Sequence, residues 1–174
     1  TELGEKIKSI IDKGSFVSDD IINGLIEKIL SNKEFFNRII FDGYPRNLKQ
    51  AKNLDDLMKK YNQNISYVFS LNVNNETIIK RILGRQICTK CGLTFNKFFN
   101  PSSKNKHVCN DKFLKTRIDD NEETIKSRLN TYSSETVPIL DYYSKQKILH
   151  EIDGMRDIDQ IYKDIKAIIA PLET

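Results

Sequence analysis

The chain has 174 residues, 39% hydrophobic and 30% charged, which suits one domain with an inserted subdomain and is too apolar for a disordered chain. Lys+Arg number 28 against Asp+Glu 24, a net charge of +4, too balanced for a dedicated nucleic-acid binder. No run approaches the ~18 apolar residues of a membrane helix, and Thr1 opens no signal peptide. The expected protein is soluble and cytoplasmic, with neither membrane nor nucleic acid as partner.

Leu3, Ile7, Ile10 and Ile11 share one helical face, and Gly14 ends that helix. Ser18 caps a second helix, in which Ile21, Ile22, Leu25, Ile26, Ile29 and Leu30 form a wide apolar stripe. Ile39-Ile40-Phe41 predicts a buried strand over residues 38–42 that runs into the turn Asp42-Gly43-Tyr44-Pro45-Arg46. Asn47 caps a helix to about Tyr61, residues 67–73 predict a strand, and Asn74 or Asn75 caps a helix that Gly84 ends. Over residues 86–118 the helical period vanishes, and the stretch reads as an inserted lobe. The helical pattern returns at Asp119, with Asp120 and Glu123 spaced as a capping box. It runs to about Lys147, with a kink expected at Pro138. Residues 148–152 predict a last strand closed by Asp153-Gly154, and residues 157–169 a final amphipathic helix. Short buried strands alternating with helices imply a parallel α/β sheet.

Two residue types point to chemistry. Cys88, Cys91 and Cys109 are the only cysteines, and an odd set with a C-x-x-C pair fits a metal clip better than a disulfide framework. Gly92 and the aromatics Phe95, Phe98 and Phe99 give the stretch the look of a small zinc-ribbon knuckle, the alternative being three free thiols. Arginine is the second: there are 7 Arg among the 28 basic residues, so lysine is the default cation here and each Arg is informative. Arg46, Arg81, Arg85, Arg117, Arg128 and Arg156 lie beside a strand end, at the edges of the lobe, or in the helix after it. A guanidinium fork grips phosphate at two points, which an ammonium cannot do. Several such groups framing one crevice suggest a polyphosphate ligand.

Four segments resemble one family, the nucleoside-monophosphate kinases, and most closely adenylate kinase of the bacterial long-lid type. Ile39 to Arg46 with Gln50 resembles the family signature. Arg81-Ile82-Leu83-Gly84-Arg85 resembles the start of its lid, and Arg117-Ile118-Asp119-Asp120 through Thr124, with Arg128-Leu129, the lid's end. Leu3-Gly4 through Asp19 is similar to the monophosphate-binding helix and its loop. The resemblance implies a P-loop-type parallel sheet flanked by helices, divided into part of an AMP-binding lobe (1–17), core (18–83 and 121–174) and lid (84–120). It implies phosphoryl transfer from ATP to AMP with Mg2+, giving two ADP, by a monomer. Ser15, Phe16, Val17, Gly43, Tyr44, Pro45, Arg46 and Gln50 would bind AMP. Arg81, Arg85, Thr94, Phe95 and Arg156 would contact ATP. Arg81, Arg85, Arg117 and Arg128 would surround the transferring phosphoryl group, with Arg117 and Arg128 also on the AMP side, and Asp42 would orient magnesium through water. Zinc-bearing lids of the family place a fourth ligand, Cys or Asp, three residues after the third Cys. Lys112 occupies that position and cannot ligate while protonated, so the expected zinc ligands are Cys88, Cys91, Cys109 and Asp111, with His107 as runner-up.

The family also uses a G-x-x-x-x-G-K-[ST] loop, which the 174 residues do not contain. The resemblance implies about forty further residues ahead of Thr1, carrying the first strand and that loop, and the chain as written is expected to be inactive. Three other classes remain open: a kinase for another nucleoside monophosphate, a non-catalytic nucleotide-binding remnant, and a zinc-ribbon nucleic-acid module.

Overall fold

The computed structural model describes residues 18–104 and 107–172. The helix expected at 3–13 and the loop residues Ser15, Phe16 and Val17 lie outside the described residues. In chain order the elements are α1 (Asp19–Leu30), a 3-10 turn (Lys33–Phe35), α2 (Leu48–Lys60), β1 (Val68–Asn72), α3 (Asn75–Leu83), β2 (Arg85–Cys88), β3 (Thr94–Asn96), β4 (Leu114–Lys115), α4 (Glu122–Thr131), α5 (Val137–Lys145), β5 (Leu149–Asp153) and α6 (Ile158–Ile169). The chain divides into one unit of residues 1–68 and 135–149 and another of residues 69–134 and 150–174. The stretch expected as a lid lies inside the second. No helix among the described residues is long and apolar enough to cross a membrane.

The first unit is helical. Asn47 accepts a hydrogen bond from the Gln50 amide at 2.8 Å and so starts α2, a cap worth about 1 kcal/mol. On α2, Leu54, Leu57 and Met58 fall on one face and pack with Leu30 of α1, while Ala51 on the adjoining face meets Ile139 and Tyr143 of α5. Burying each large apolar side chain contributes about 1.5–3 kcal/mol, so α2 is the centre on which α1 and α5 both rest.

The strand expected at 38–42 does not form. A strand needs a neighbour for its backbone N–H and C=O groups, and among the described residues none pairs with this segment. Its two-residue alternation survives nonetheless. Ile39 and Phe41 pack against the α1–α2 cluster, and Ile40 between them is 94% exposed.

β1 and β5, whose first residues Val68 and Leu149 belong to the first unit and the rest to the second, form a two-stranded sheet. It is parallel, because the bonds Val68 N–H to Ile148 O and Gly154 N–H to Asn72 O, both 2.9 Å, advance along both strands together. The parallel α/β arrangement read from the sequence is therefore present. Asn74, not Asn75, caps α3, and α3 packs on α4. Between those helices β2 is the middle strand of an antiparallel sheet ordered β3-β2-β4, with Ile87 opposite Thr94 on one side and Lys115 on the other.

Two helix details depart from expectation. Asn121, not Asp120, caps α4, accepting from the Thr124 amide at 2.9 Å. The single helix expected to about Lys147 is divided by a π-helical turn at Tyr132–Thr136 before α5 begins. Pro138 has no N–H to give the preceding turn, and it stands in the first turn of α5, where none is required.

Candidate functional site

The turn after Phe41 holds the residues expected to bind a monophosphate. Gly43 has φ +71°, a left-handed conformation that glycine adopts without strain, and its carbonyl accepts from Arg46 Nε at 2.7 Å. A Cβ on Gly43 would come within 3.2 Å of Arg46 Nη2. The peptide bond between Tyr44 and Pro45 is cis. Gln50 is buried in α2 and ties the turn down. Its Oε1 accepts from the Arg46 amide at 2.7 Å and its Nε2 donates to Asp19 at 2.6 Å. A carboxamide has two N–H donors and two lone pairs, so one of each remains without a partner among the described residues. Arg46 and Asp42 are both exposed, and the Arg46 carbonyl accepts from the Thr136 hydroxyl at 2.8 Å.

In the second unit a cleft of about 320 Å³ is lined by Arg81, Ile82, Arg85, Thr94, Phe95, Asn96 and Asn100. It brings together four of the residues expected to contact ATP. Arg81 stands in the last turn of α3 and Arg85 opens β2, so both guanidiniums emerge at the junction of helix and lobe. Asn96 fixes this junction: its Nδ2 donates to the Arg81 carbonyl at 2.7 Å, and its Oδ1 accepts from the amides of Phe98 and Phe99 at 3.0 and 3.2 Å. The Arg81 guanidinium lies 5.6 Å from the centre of the Phe99 ring. Phe95 is buried and packs on His107, ring centres 4.7 Å apart, so it serves the lobe's interior as well as the cleft wall. Arg156 does not line this cleft; its side chain turns onto α6 and donates to Asp164 at 2.6 Å.

Asp119 and Asp120, neither of them among the expected site residues, hold three of the expected arginines. The Asp120 side chain is fully buried and takes Arg85 in a two-point grip, with Nε to Oδ2 at 3.0 Å and Nη2 to Oδ1 shorter still. Asp119 accepts from Arg117 Nε at 2.9 Å, Arg117 Nη2 at 2.7 Å and Arg128 Nη2 at 2.7 Å. The signal was visible as two consecutive carboxylates between arginines. Asp120 had been assigned to a helix cap, and that role falls to Asn121.

The hydrogen bonds from Arg117 first, and Arg128 second, hold the Asp119 carboxyl well below its ordinary 3.8, at about 2. The folded form therefore loses its proton at lower pH than the unfolded chain. The pairing stabilises the fold above about pH 4, and that contribution disappears as the pH falls towards about 2. Asp119→Asn is expected to flatten this part of the acid limb. Urea midpoints for the two proteins at about pH 5 and about pH 3 check it; an equal fall in both would contradict it.

The lobe's thiols converge. Cys88, Cys91, His107 and Cys109 place one ligand atom each within 4.8 Å of one another, and Cys91 Sγ lies 3.7 Å from His107 Nε2. A tetrahedral zinc with Zn–S about 2.3 Å and Zn–N about 2.0–2.1 Å has ligand–ligand edges of about 3.5–3.8 Å, so the group is close to that size. Asp111, the expected fourth ligand, is not among the four. It begins a 3-10 turn capped by Asn110, and its carboxylate faces the Ser102 hydroxyl at 3.3 Å. The runner-up, His107, takes the place. Burial pushes the Cys88 thiol up, but the amides of Cys91 and Lys90, with His107 and Cys91 themselves, outweigh it and bring it down to about 6. Burial and the two neighbouring cysteines raise Cys109.

An α/β framework interrupted between two helices by a small antiparallel lobe, with arginines at both ends of the interruption, is suited to gripping a polyphosphate, as a nucleotide phosphotransferase must. Residues 1–148 match the family model for adenylate kinase. The chain is 47% identical over 169 residues to an adenylate kinase of Pelagibacter ubique (strain HTCC1062), covering 97% of this chain and 79% of that protein. It is 40% identical over 171 residues to one from Methanosarcina barkeri (97% and 79%) and 39% identical over 175 residues to one from Bacillus cereus strain AH187 (99% and 80%). The chain belongs to the adenylate kinase family.

Proposed function

We propose that this protein transfers the terminal phosphoryl group of ATP to AMP, giving two ADP, with its own arginines supplying the charge stabilisation. Family membership supports the reaction. The observation that carries the residue assignment is the set of four arginines in the second unit, two lining one cleft and two tied to one carboxylate. Phosphoryl transfer asks little covalent chemistry of the protein and much positioning, with charge spread over three equatorial oxygens. Arg81 and Arg85 would grip the ATP phosphates beside Thr94 and Phe95. Arg117 and Arg128 would meet the transferring group. In the first unit Arg46 would hold the AMP phosphate, the Gly43–Pro45 backbone would shape its pocket, and the spare Gln50 amide atoms would pair with the adenine edge. Adenylate kinases use magnesium with ATP; the ion would neutralise phosphate charge, and the exposed Asp42 is the carboxylate suited to orient its water shell.

Zinc belongs to the same reading as a structural ion held by Cys88, Cys91, His107 and Cys109. Its chemistry there would be mechanical, stiffening a lobe too small for a core of its own.

The test is a coupled assay on the protein expressed from its complete gene, with ATP, AMP and magnesium. ADP formation is expected, and none when AMP is left out. Absence of ADP with both nucleotides present would sink the reading. Substituting GMP, CMP or UMP is expected to give at most about a per cent of the AMP rate, because a site that hydrogen-bonds its ligand leaves buried polar groups unpaired against a wrong one.

A further inference from the structure

We infer that Asp19 is a positioning residue that determines base specificity: its carboxylate fixes which end of the Gln50 carboxamide donates and which accepts, and so sets the site for a 6-aminopurine against a 6-oxopurine. The inference rests on the proposed contact of Gln50 with the AMP base and goes beyond it, since Asp19 itself would touch no substrate.

A glutamine alone cannot make this choice. The C=O and NH2 ends of its amide have nearly the same shape, and a half-turn about the last side-chain bond exchanges them. Purine edges differ in the same sense. A 6-amino group donates beside an accepting N1, whereas a 6-oxo group accepts beside a donating N1–H. A carboxamide free to turn would match either base.

Gln50 is not free to turn. Its Oε1 accepts from the Arg46 amide at 2.7 Å, and its Nε2 donates to Asp19 Oδ1 at 2.6 Å. A half-turn would set the oxygen against the Asp19 carboxylate, acceptor against anion, and the NH2 group against the Arg46 N–H, donor against donor. Gln50 is buried, so little water is at hand to repair either mismatch, and an unmade buried hydrogen bond is costly. Of the two partners the carboxylate selects more strongly, because a bond to an ionised acceptor is about twice as strong as a neutral one.

Both ends of the Asp19–Gln50 bond stand on fixed backbone. The Gln50 amide is held by the Asn47 cap. One turn after Asp19, Asn23 Oδ1 accepts from the Tyr44 hydroxyl at 2.9 Å, and at the far end of α1 Leu30 packs on α2. An acid in the first turn of α1 also favours the helix through its dipole. That role needs only a negative charge, and Asp20 in the same turn supplies one; the contact with Gln50 is particular to Asp19.

The experiment measures kcat and KM with AMP and with inosine monophosphate at saturating ATP, on protein expressed from its complete gene. Inosine monophosphate keeps the sugar, the phosphate and the purine frame, reverses donor and acceptor at positions 6 and 1, and adds no 2-amino group. Wild type is expected to favour AMP at least about a hundredfold in kcat/KM. Asp19→Asn keeps the shape but can donate as well as accept, which releases the lock. Its preference for AMP is expected to shrink at least about tenfold, while the KM for ATP changes by less than about twofold. Asp19→Ala carries the same test if the asparagine protein melts early. Gln50→Leu is expected to lose the preference as well, and adding Asp19→Asn to it should shrink the preference no further, because the two act through one amide. A wild-type preference in Asp19→Asn, even with altered melting or a raised KM for ATP, would overturn the positioning role. A Gln50→Leu protein that favours AMP as wild type does would instead overturn the base contact beneath it, and wild-type protein that forms no ADP from AMP would overturn the reaction itself.

Discussion

Arg128→Lys is expected to lower turnover by about a hundredfold or more, in the range seen when one charge-stabilising donor is removed from a transition state, while the melting temperature stays within about two degrees of wild type. Lysine keeps the charge, so a loss of this size would come from geometry. A guanidinium can spend one N–H on Asp119 and present the rest, in a fixed plane, to a second anion; an ammonium on a flexible stem offers three donors with no such plane. The stability half of the prediction follows from placement. Arg128 is on the exposed face of α4, about half its side chain is in solvent, and its one ion pair among the described residues is to a part-exposed carboxylate, a class of contact worth at most about 1 kcal/mol. Steady-state kinetics and a thermal melt on the same preparation decide between the roles. If the melting temperature fell along with activity, Arg128 would be structural. If neither changed, the phosphoryl group would lie elsewhere.

What the sequence made legible was whatever local chemistry controls. Asn47 and Asn74 cap because an Asx side chain beside the first helical residues reaches their free amides whatever the tertiary context. The loss of helical period over 86–118 marked the inserted lobe because strands of four, three and two residues have no helical repeat to show. Where two local rules competed, tertiary pairing chose between them. Asp120 and Glu123 satisfied a capping box on spacing alone, but the Arg85 guanidinium on β2 claimed Asp120 and left the cap to Asn121. Ile39-Ile40-Phe41 satisfied a strand pattern, yet a strand is a property of two segments, and no described segment pairs with it as a strand. Among the candidate site residues, the arginines stood out because they are rare in a lysine-rich chain. The carboxylates that hold them were not, because nothing in spacing separates a carboxylate that organises arginines from one that caps a helix.

Protein purified without chelator is expected to carry one zinc per chain, and His107→Ala is expected to lose it while Asp111→Ala keeps it. Sequence spacing favoured Asp111 because carboxylates ligate zinc and it lies two residues past Cys109. Spacing could not register the Asn110-capped turn that swings Asp111 to Ser102, nor the return of His107 onto Cys91. The alternative was a metal-free lobe packed on Phe95, Phe98 and Phe99. That alternative is weakened by burial: Phe95 is interior, but Phe98 and Phe99 are 48% and 52% exposed, with Lys80 over both rings and Lys97 over Phe98. Three short strands around Cys88 and Phe95 bury too little apolar surface to hold a lobe by themselves. A structural zinc site contributes on the order of 10 kcal/mol at neutral pH, enough to decide whether the lobe is ordered. Chelation should therefore remove the hydrogen-exchange protection of the β2, β3 and β4 amides and leave that of α2 intact. His107→Ala should reproduce this without chelator, whereas Asp111→Ala, which removes only a 3.3 Å contact to Ser102, should exchange like wild type. Less than about a tenth of a zinc per chain, with exchange unchanged on chelation, would leave the lobe to its aromatics after all. Zinc lost on Asp111→Ala and kept on His107→Ala would restore the ligand that spacing alone had favoured.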